Sequence, residues 1–264
     1  MYEVLEPSEL IVQIAASASA GRVVDERLSA TLDGSTTPLV QELCAPDGER
    51  IHVIRGEPGL LSVSYRSEIL ARPPLPSATS ASNSKYETLV YRRPSRYVPS
   101  DHLVGFAVAE FGIGDDVAAR TAAIADWIWN RISYVSGSSD VHDSAEDTLL
   151  TGMGTCRDFA HLGIALCRAT GIPARFVSVY APGLSPMDFH AIFEAFRDGK
   201  WFAYDATGLA PRSSMVRIAT GRDAADTAFS AINYGVVNPM GITVTATVGS
   251  ALPLDNLVTD TELP

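Results

Sequence analysis

Two apolar runs, Phe189–Phe196 and Trp201–Thr207, flank Arg197-Asp198-Gly199-Lys200. Asp-Gly between such runs marks a two-residue hairpin turn, because both central positions need positive φ and this pair tolerates it. No other feature of the chain restricts its fold as tightly. With Asp198-Gly199 as the turn, paired residues have numbers that sum to about 397, the spacing a two-residue loop dictates. His190 then faces Thr207, and Ile192 faces Asp205. Side chains alternate along a strand, so His190 and Asp205 fall on one face as diagonal neighbours within reach of each other. A four-residue loop preserves that parity, and an odd loop would break it.

Ala174–Tyr180 carries another strand signal just upstream. Before it, a helix is predicted from Cys156 to about Thr170, stopped by Gly171 and Pro173. A longer helix is predicted from Val117 to Tyr134, behind Asp115-Asp116. Its Ile124, Ile128 and Ile132 recur on one buried face, and Trp127 and Trp129 are read as packing groups. Residues 1–72 show short apolar runs broken at Asp33-Gly34, Pro46-Asp47-Gly48 and Glu57-Pro58-Gly59. They read as an N-terminal all-β module, with strands at Ile51–Ile54 and Leu60–Tyr65. Residues 73–100 turn to Pro and Ser and read as a linker or extended connection. A core is assigned to 101–250. Within it Ile242–Val248 alternates apolar and polar residues and is expected to be a strand. The polar tail, 251–264, is expected to fray.

Cys156 lies where Thr151-Gly152-Met153-Gly154-Thr155 turns into a helix. Thr155 is a good N-cap, and Asp158 three positions later completes a capping box. The sulfur therefore sits at the first helical turn, beside unpaired N–H groups and the positive end of the dipole. Both favour the thiolate. A histidine held by Asp205 could serve this cysteine as base and then as acid, with Asp205 setting its tautomer. Cys167 is about 16 Å along the same helix and out of disulfide reach. Cys44 belongs to the β module. Cys156, His161 and His190 are suitable metal ligands by type, but metal-ligand spacing is missing, and Cys156 and His161 diverge by about 140° around the helix. No metal or other cofactor is expected. Gly152-Met153-Gly154 lacks the Lys-Ser/Thr ending of a phosphate loop.

The charge balance narrows the partners. Twenty basic and 31 acidic residues give a net charge of −11, with 10 basic against 19 acidic groups in residues 101–264. Nucleic acid is a poor partner for such a chain. No apolar run is long enough to span a bilayer, so no membrane partner is expected. Three cysteines make an odd, sparse set suited to a reducing compartment. Leu10–Ala16 imitates a signal peptide, but Glu3, Glu6 and Glu9 precede it with no Lys or Arg, so a cytoplasmic location is expected.

Four ordered motifs carry a resemblance. They are Gly154-Thr155-Cys156-Arg157-Asp158-Phe159-Ala160-His161-Leu162, Gly171-Ile172-Pro173-Ala174-Arg175-Phe176-Val177-Ser178, Phe189-His190-Ala191 and Asp205-Ala206-Thr207. Together they resemble the transglutaminase-like superfamily, and more narrowly its bacterial members with an N-terminal β module. The likeness covers about residues 90–235 and is looser over 1–72. It implies an α+β fold related to papain-like proteases, with the cysteine helix packed on an antiparallel sheet. It also implies Cys156 as nucleophile, His190 as base and Asp205 as its orienting partner. The chain departs from the family in having Ile192 where Trp often stands two residues after the histidine. It has no clear counterpart of the oxyanion-hole side chain of the animal cross-linking enzymes, and no acidic cluster spaced like a calcium loop.

The function these residues imply is thiol acyl transfer on an amide bond of a peptide or protein through a cysteine thioester, with hydrolysis favoured over cross-linking. The alternatives are a protein-glutamine transamidase, an arylamine-acetyltransferase-like acyl transfer (whose R-G-G-x-C-x-E motif is missing), and a catalytically silent binding module.

Overall fold

The computed structural model describes residues 1–45, 48–70 and 81–263. The turn expected at Pro46-Asp47 and the first part of the expected linker, 73–80, lie outside the described residues. Six strands come first: β1 (Tyr2–Val4), β2 (Ser8–Val12), β3 (Arg22–Leu32), β4 (Leu39–Cys44), β5 (Arg50–Gly56) and β6 (Gly59–Leu70). Asp33 and Gly34 turn the chain after β3 with positive φ, 49° and 74°, as an Asp-Gly pair can. Helices α1 (Ala81–Val90), α2 (Val104–Phe111) and α3 (Val117–Arg131) follow, then β7 (Ser133–Tyr134), α4 (Ala145–Thr151), β8 (Met153–Gly154) and α5 (Cys156–Ala169). The chain continues through β9 (Ala174–Tyr180), β10 (Phe189–Arg197), β11 (Lys200–Tyr204), β12 (Val216–Gly221), β13 (Ser230–Tyr234) and β14 (Val237–Pro239).

The β module is not closed by its own segment of chain. Its two sheets run β14-β1-β6-β3 and β13-β2-β5-β4, so each takes an outer strand from within the segment assigned to the core, at 230–239. Tyr2 pairs with Pro239, and Val12 pairs with Ser230. Val237 joins Tyr2, Val4, Leu10, Val12, Ile54 and Leu61 in the module's core. Each such side chain contributes about 1.5–3 kcal/mol on burial, which offsets the cost of closing so long a loop.

The second half is α+β. Its sheet is antiparallel, in the order β11-β10-β9-β12. The hairpin register is the one the Asp-Gly turn dictates, with Phe193 opposite Tyr204 and Arg197 opposite Lys200. Helix α5 packs on β10 and β9, burying Phe159, Leu162 and Leu166 with Phe176 and Phe193. A Cβ at position 163 would stand 2.5 Å from the Phe193 ring, so only glycine lets helix and sheet approach this closely. Ile124, Ile128 and Ile132 are buried as their spacing requires. Trp127 packs edge-on against Phe106 and Phe111, whereas Trp129 is half exposed.

The two halves meet through a run of rings. Tyr65 of β6 stacks on Tyr180, Tyr180 lies against Phe189, and Phe189 stacks on Phe229. The Tyr180 hydroxyl donates to the Ile14 carbonyl at 2.7 Å. This contact anchors the start of β10, one residue before His190.

Three local expectations differ from the fold. Residues 242–248 form no strand and pair with none of the described sheets. Part of the tail, expected to fray, is fastened to the core. Arg212, buried beneath it, holds Asp255 at 2.8 Å, and the Ala203 N–H donates to the Thr261 carbonyl. Residues 91–98, in the expected linker, are fastened to the core: Ala174 N–H donates to the Tyr91 carbonyl, and Tyr97 N–H to the Asp223 carboxylate. Short-range sequence patterns do not register such distant partners. Among the described residues, no helix is long and apolar enough to cross a membrane.

Candidate active site

The loop before α5 is built to start a helix at Cys156. Thr155 has extended backbone angles, φ −105° and ψ −177°. Its N–H and its hydroxyl both donate to Asp158 Oδ2, at 2.7 and 2.9 Å. Burial works against ionising Asp158, but the Thr155 N–H and the Ser139 and Arg157 side chains outweigh it and hold the carboxyl below its usual range. Arg157 reaches from Asp158 to the Ser139 hydroxyl and the Asp140 carbonyl, tying the 138–140 loop to the helix start. A side chain at Gly154 would collide with the Asp158 Cβ, 2.6 Å from where its own Cβ would lie.

Opposite the thiol, His190 Nε2 is 2.9 Å from Asp205 Oδ2, with both side chains almost fully buried. The other Asp205 oxygen accepts from the Thr207 N–H (2.9 Å) and hydroxyl (2.7 Å). The carboxylate is therefore fixed on both sides. The shared face is the one that the hairpin register requires. Burial disfavours the imidazolium, but the Asp205 charge and hydrogen bond, aided by the adjacent Cys156 thiol, raise the His190 pKa to about 10. Asp205 is also buried, yet His190 and Thr207 keep its pKa below the usual carboxylate range. With Nε2 committed to Asp205, the buried Nδ1, which has no hydrogen-bond partner, is the nitrogen left for the thiol.

A further residue at the thiol escaped the sequence reading. The helix expected to reach Tyr134 ends at Arg131, and Ile132 caps it in an extended conformation. Ser133 and Tyr134 then pair in parallel with Met153 and Gly154, directly before Cys156. The Tyr134 hydroxyl thus sits against the Cys156 backbone N–H and thiol. Burial, then the Cys156 charge, pushes its pKa up to about 12. The β-favouring run Ile132-Ser133-Tyr134-Val135 before Gly137 was the available signal.

The remaining candidates lie apart from this group. Cys44 is exposed on β4, and Cys167 is buried. His161 is fully buried and accepts from the Ala224 N–H, and burial pushes its pKa down to about 3, so it stays neutral. Among the described residues, no three His, Cys, Asp or Glu side chains converge to hold a metal.

Two predictions follow from this geometry. In the native protein, iodoacetamide should modify Cys156 at least about 10-fold faster than exposed Cys44, given a thiol at a helix start beside a histidine. Cys167, its pKa pushed up to about 12 by burial, should stay unmodified. Mass spectrometry after timed quenching reads all three, and equal rates at Cys44 and Cys156 would refute activation of the thiol. The second concerns stability. His190 has a raised folded-state pKa, so its contribution is complete below the unfolded value near 6.5 and is lost as pH rises through about 10. Urea titrations should show the wild type losing stability between those limits, and His190→Gln losing less. Parallel curves would place no charge on His190 in the folded state.

The description of the transglutaminase-like superfamily matches residues 108–206. A crystal structure of a proposed cysteine protease from Cytophaga hutchinsonii superimposes with a TM-score of 0.85 and 34% identity, covering 100% of this chain and 94% of that one. An uncharacterized protein of Mycobacterium leprae (strain TN) is 30% identical over 149 residues, 52% of each chain. Another, from Mycobacterium tuberculosis (strain ATCC 25618 / H37Rv), is 40% identical over 57 residues, 22% of this chain and 18% of the relative. The chain therefore spans about half or less of the length of the curated relatives it matches.

Proposed function

This chain belongs to the transglutaminase-like superfamily of cysteine-dependent enzymes, and we propose that it hydrolyses an amide bond of a peptide or protein through a thioester on Cys156. The observation that supports this most strongly is a thiol on the first turn of α5 facing a buried His190–Asp205 pair.

His190 Nδ1 already holds the proton given up by the thiol, in keeping with its raised pKa, and the sulfur attacks the carbonyl carbon of the scissile amide. The developing oxyanion is stabilised by the Cys156 backbone N–H, which at rest is directed at the Tyr134 hydroxyl oxygen, and by that hydroxyl. Tyr134 keeps its proton at neutral pH, so it can donate. The intermediate collapses as the His190 imidazolium passes its proton to the departing amine. Water, deprotonated by His190, then attacks the thioester, releasing a carboxylic acid and restoring the thiol. Asp205 moves no proton; it orients the ring and stabilises its charged form.

Hydrolysis is favoured over transamidation by what surrounds the thiol. Transamidation needs a site that excludes water and holds an amine, since water competes at about 55 M. The Tyr134 ring is 44% exposed, and Ile192 is buried in the sheet and supplies no aromatic wall. The test is to give the enzyme a glutamine- or acyl-bearing peptide with millimolar primary amine and weigh the products. Free acid as the main product supports hydrolysis, and a predominant amine adduct overturns it.

A further inference from the structure

Residues 242–248, Ile-Thr-Val-Thr-Ala-Thr-Val, alternate like a strand but are left without one to pair with. The chain enters from β14 still bonded to β1: Met240 N–H donates to the Met1 carbonyl, and the Met1 ammonium to the Gly241 carbonyl. It then runs to Val248 with no turn or bend. Among the described residues, no backbone hydrogen bond joins 242–248 to any other segment. Val244 is buried and pins the segment, while Ile242 stays about half exposed. Residues 241–247 form one wall of a cleft of about 860 Å³. Val63 and Tyr65 of the β module and Tyr180 and Phe189 of the catalytic sheet form others. Phe189 is the residue immediately before His190.

Backbone N–H and C=O groups take either water or another chain as partner, and an unpaired extended edge is a template for a further strand. We propose that residues 242–248 are the acceptor edge for the substrate, which binds as an extended, unfolded polypeptide segment. Main-chain hydrogen bonds hold it along an edge of seven residues, about 23 Å at the usual rise. Its alternate side chains enter the cleft, whose volume lies within the usual range of about 300–1,000 Å³ for a ligand pocket. The aromatic wall accepts apolar side chains, and its Phe189 adjoins His190 along β10. This identifies the substrate class for the hydrolase reading above and rests on that reading. A surface loop of a folded protein does not fit, because its backbone groups are already bonded within its own fold. A compact small molecule cannot pair along the edge.

The test uses the full-length Cys156→Ala protein, so that binding is read without turnover. Amide hydrogen exchange of 242–248 is followed with reduced, carboxymethylated lysozyme, a permanently unfolded polypeptide, and separately with native lysozyme. The unfolded polypeptide is expected to slow exchange about 10-fold or more at alternate amides, either 243, 245 and 247 or 244, 246 and 248. Native lysozyme should leave all of them unchanged. The proposal is overturned by no slowing, by equal slowing with native lysozyme, by uniform slowing without alternation, or by slowing that tracks enzyme concentration alone, which would mean pairing with a second copy. Failure of the hydrolase reading would show separately, as intact peptide after incubation with wild-type enzyme.

Discussion

Cys156→Ala is expected to lower turnover of a peptide substrate by roughly 10⁵-fold or more, to the level that binding and oxyanion contacts alone provide. No other side chain at the site can form the thioester. His190→Ala should cost nearly as much, because the thiol then has no acceptor for its proton and the leaving amine has no donor. Asp205→Asn should cost less, about 10³–10⁴-fold. The reason is a tautomer. Asp205 Oδ1 accepts from the Thr207 N–H, so an amide at this position keeps its oxygen there and turns its NH₂ towards His190 Nε2. That ring nitrogen must then accept, which puts the ring proton on Nδ1, the nitrogen that should receive the thiol proton. Single-turnover acylation rates with circular dichroism as a folding control would measure this order. Equal losses for Asp205→Asn and Cys156→Ala, with a lowered melting temperature for the former, would make Asp205 chiefly a structural residue.

Glu194→Gln should be the most damaging single change to the fold outside the site. Glu194 on β10 is fully buried. Arg175 of β9 donates to Oε2 at 2.7 Å, and Arg217 of β12 to Oε1 at 2.7 Å. One carboxylate thus neutralises two guanidinium groups across three strands. Burial alone would raise its pKa, but Arg175 and Arg217 bring it down to about 2. An amide removes the negative charge that Arg175 and Arg217 share, at a cost of about 3–5 kcal/mol, a large part of the roughly 5–15 kcal/mol that holds a domain. The pH dependence gives a second check. A depressed carboxylate pKa contributes stability that is present above the unfolded value near 4.5 and is lost as pH falls through about 2. The gap between wild type and Glu194→Gln in urea midpoint should therefore be widest above pH 4.5 and narrow on acidification. A gap below about 1 kcal/mol at neutral pH would mean that the triad is held by packing rather than charge.

What the amino-acid sequence determined by itself was local. Asp198-Gly199 defines its turn within four residues, and the register of β10 on β11 follows from it, bringing His190 and Asp205 to one face. Thr155 and Asp158 set the start of α5 in the same way, because a cap is made by neighbours three residues apart. The spacing of Ile124, Ile128 and Ile132 likewise needs only the helical repeat. The tertiary structure decided everything that depended on a distant partner. Tyr134 reaches Cys156 only because β7 pairs with β8, and the β module is completed only when β13 and β14 return to it from residues 230–239. The alternation of 242–248 is as regular as that of any strand, yet it joins none of the described sheets. A turn or a cap is settled by the conformational preference of a few adjacent residues. A sheet edge is a shared resource, and which segment occupies it depends on loop closure and on the apolar surface each competitor buries, neither of which is written in the spacing of the segment itself.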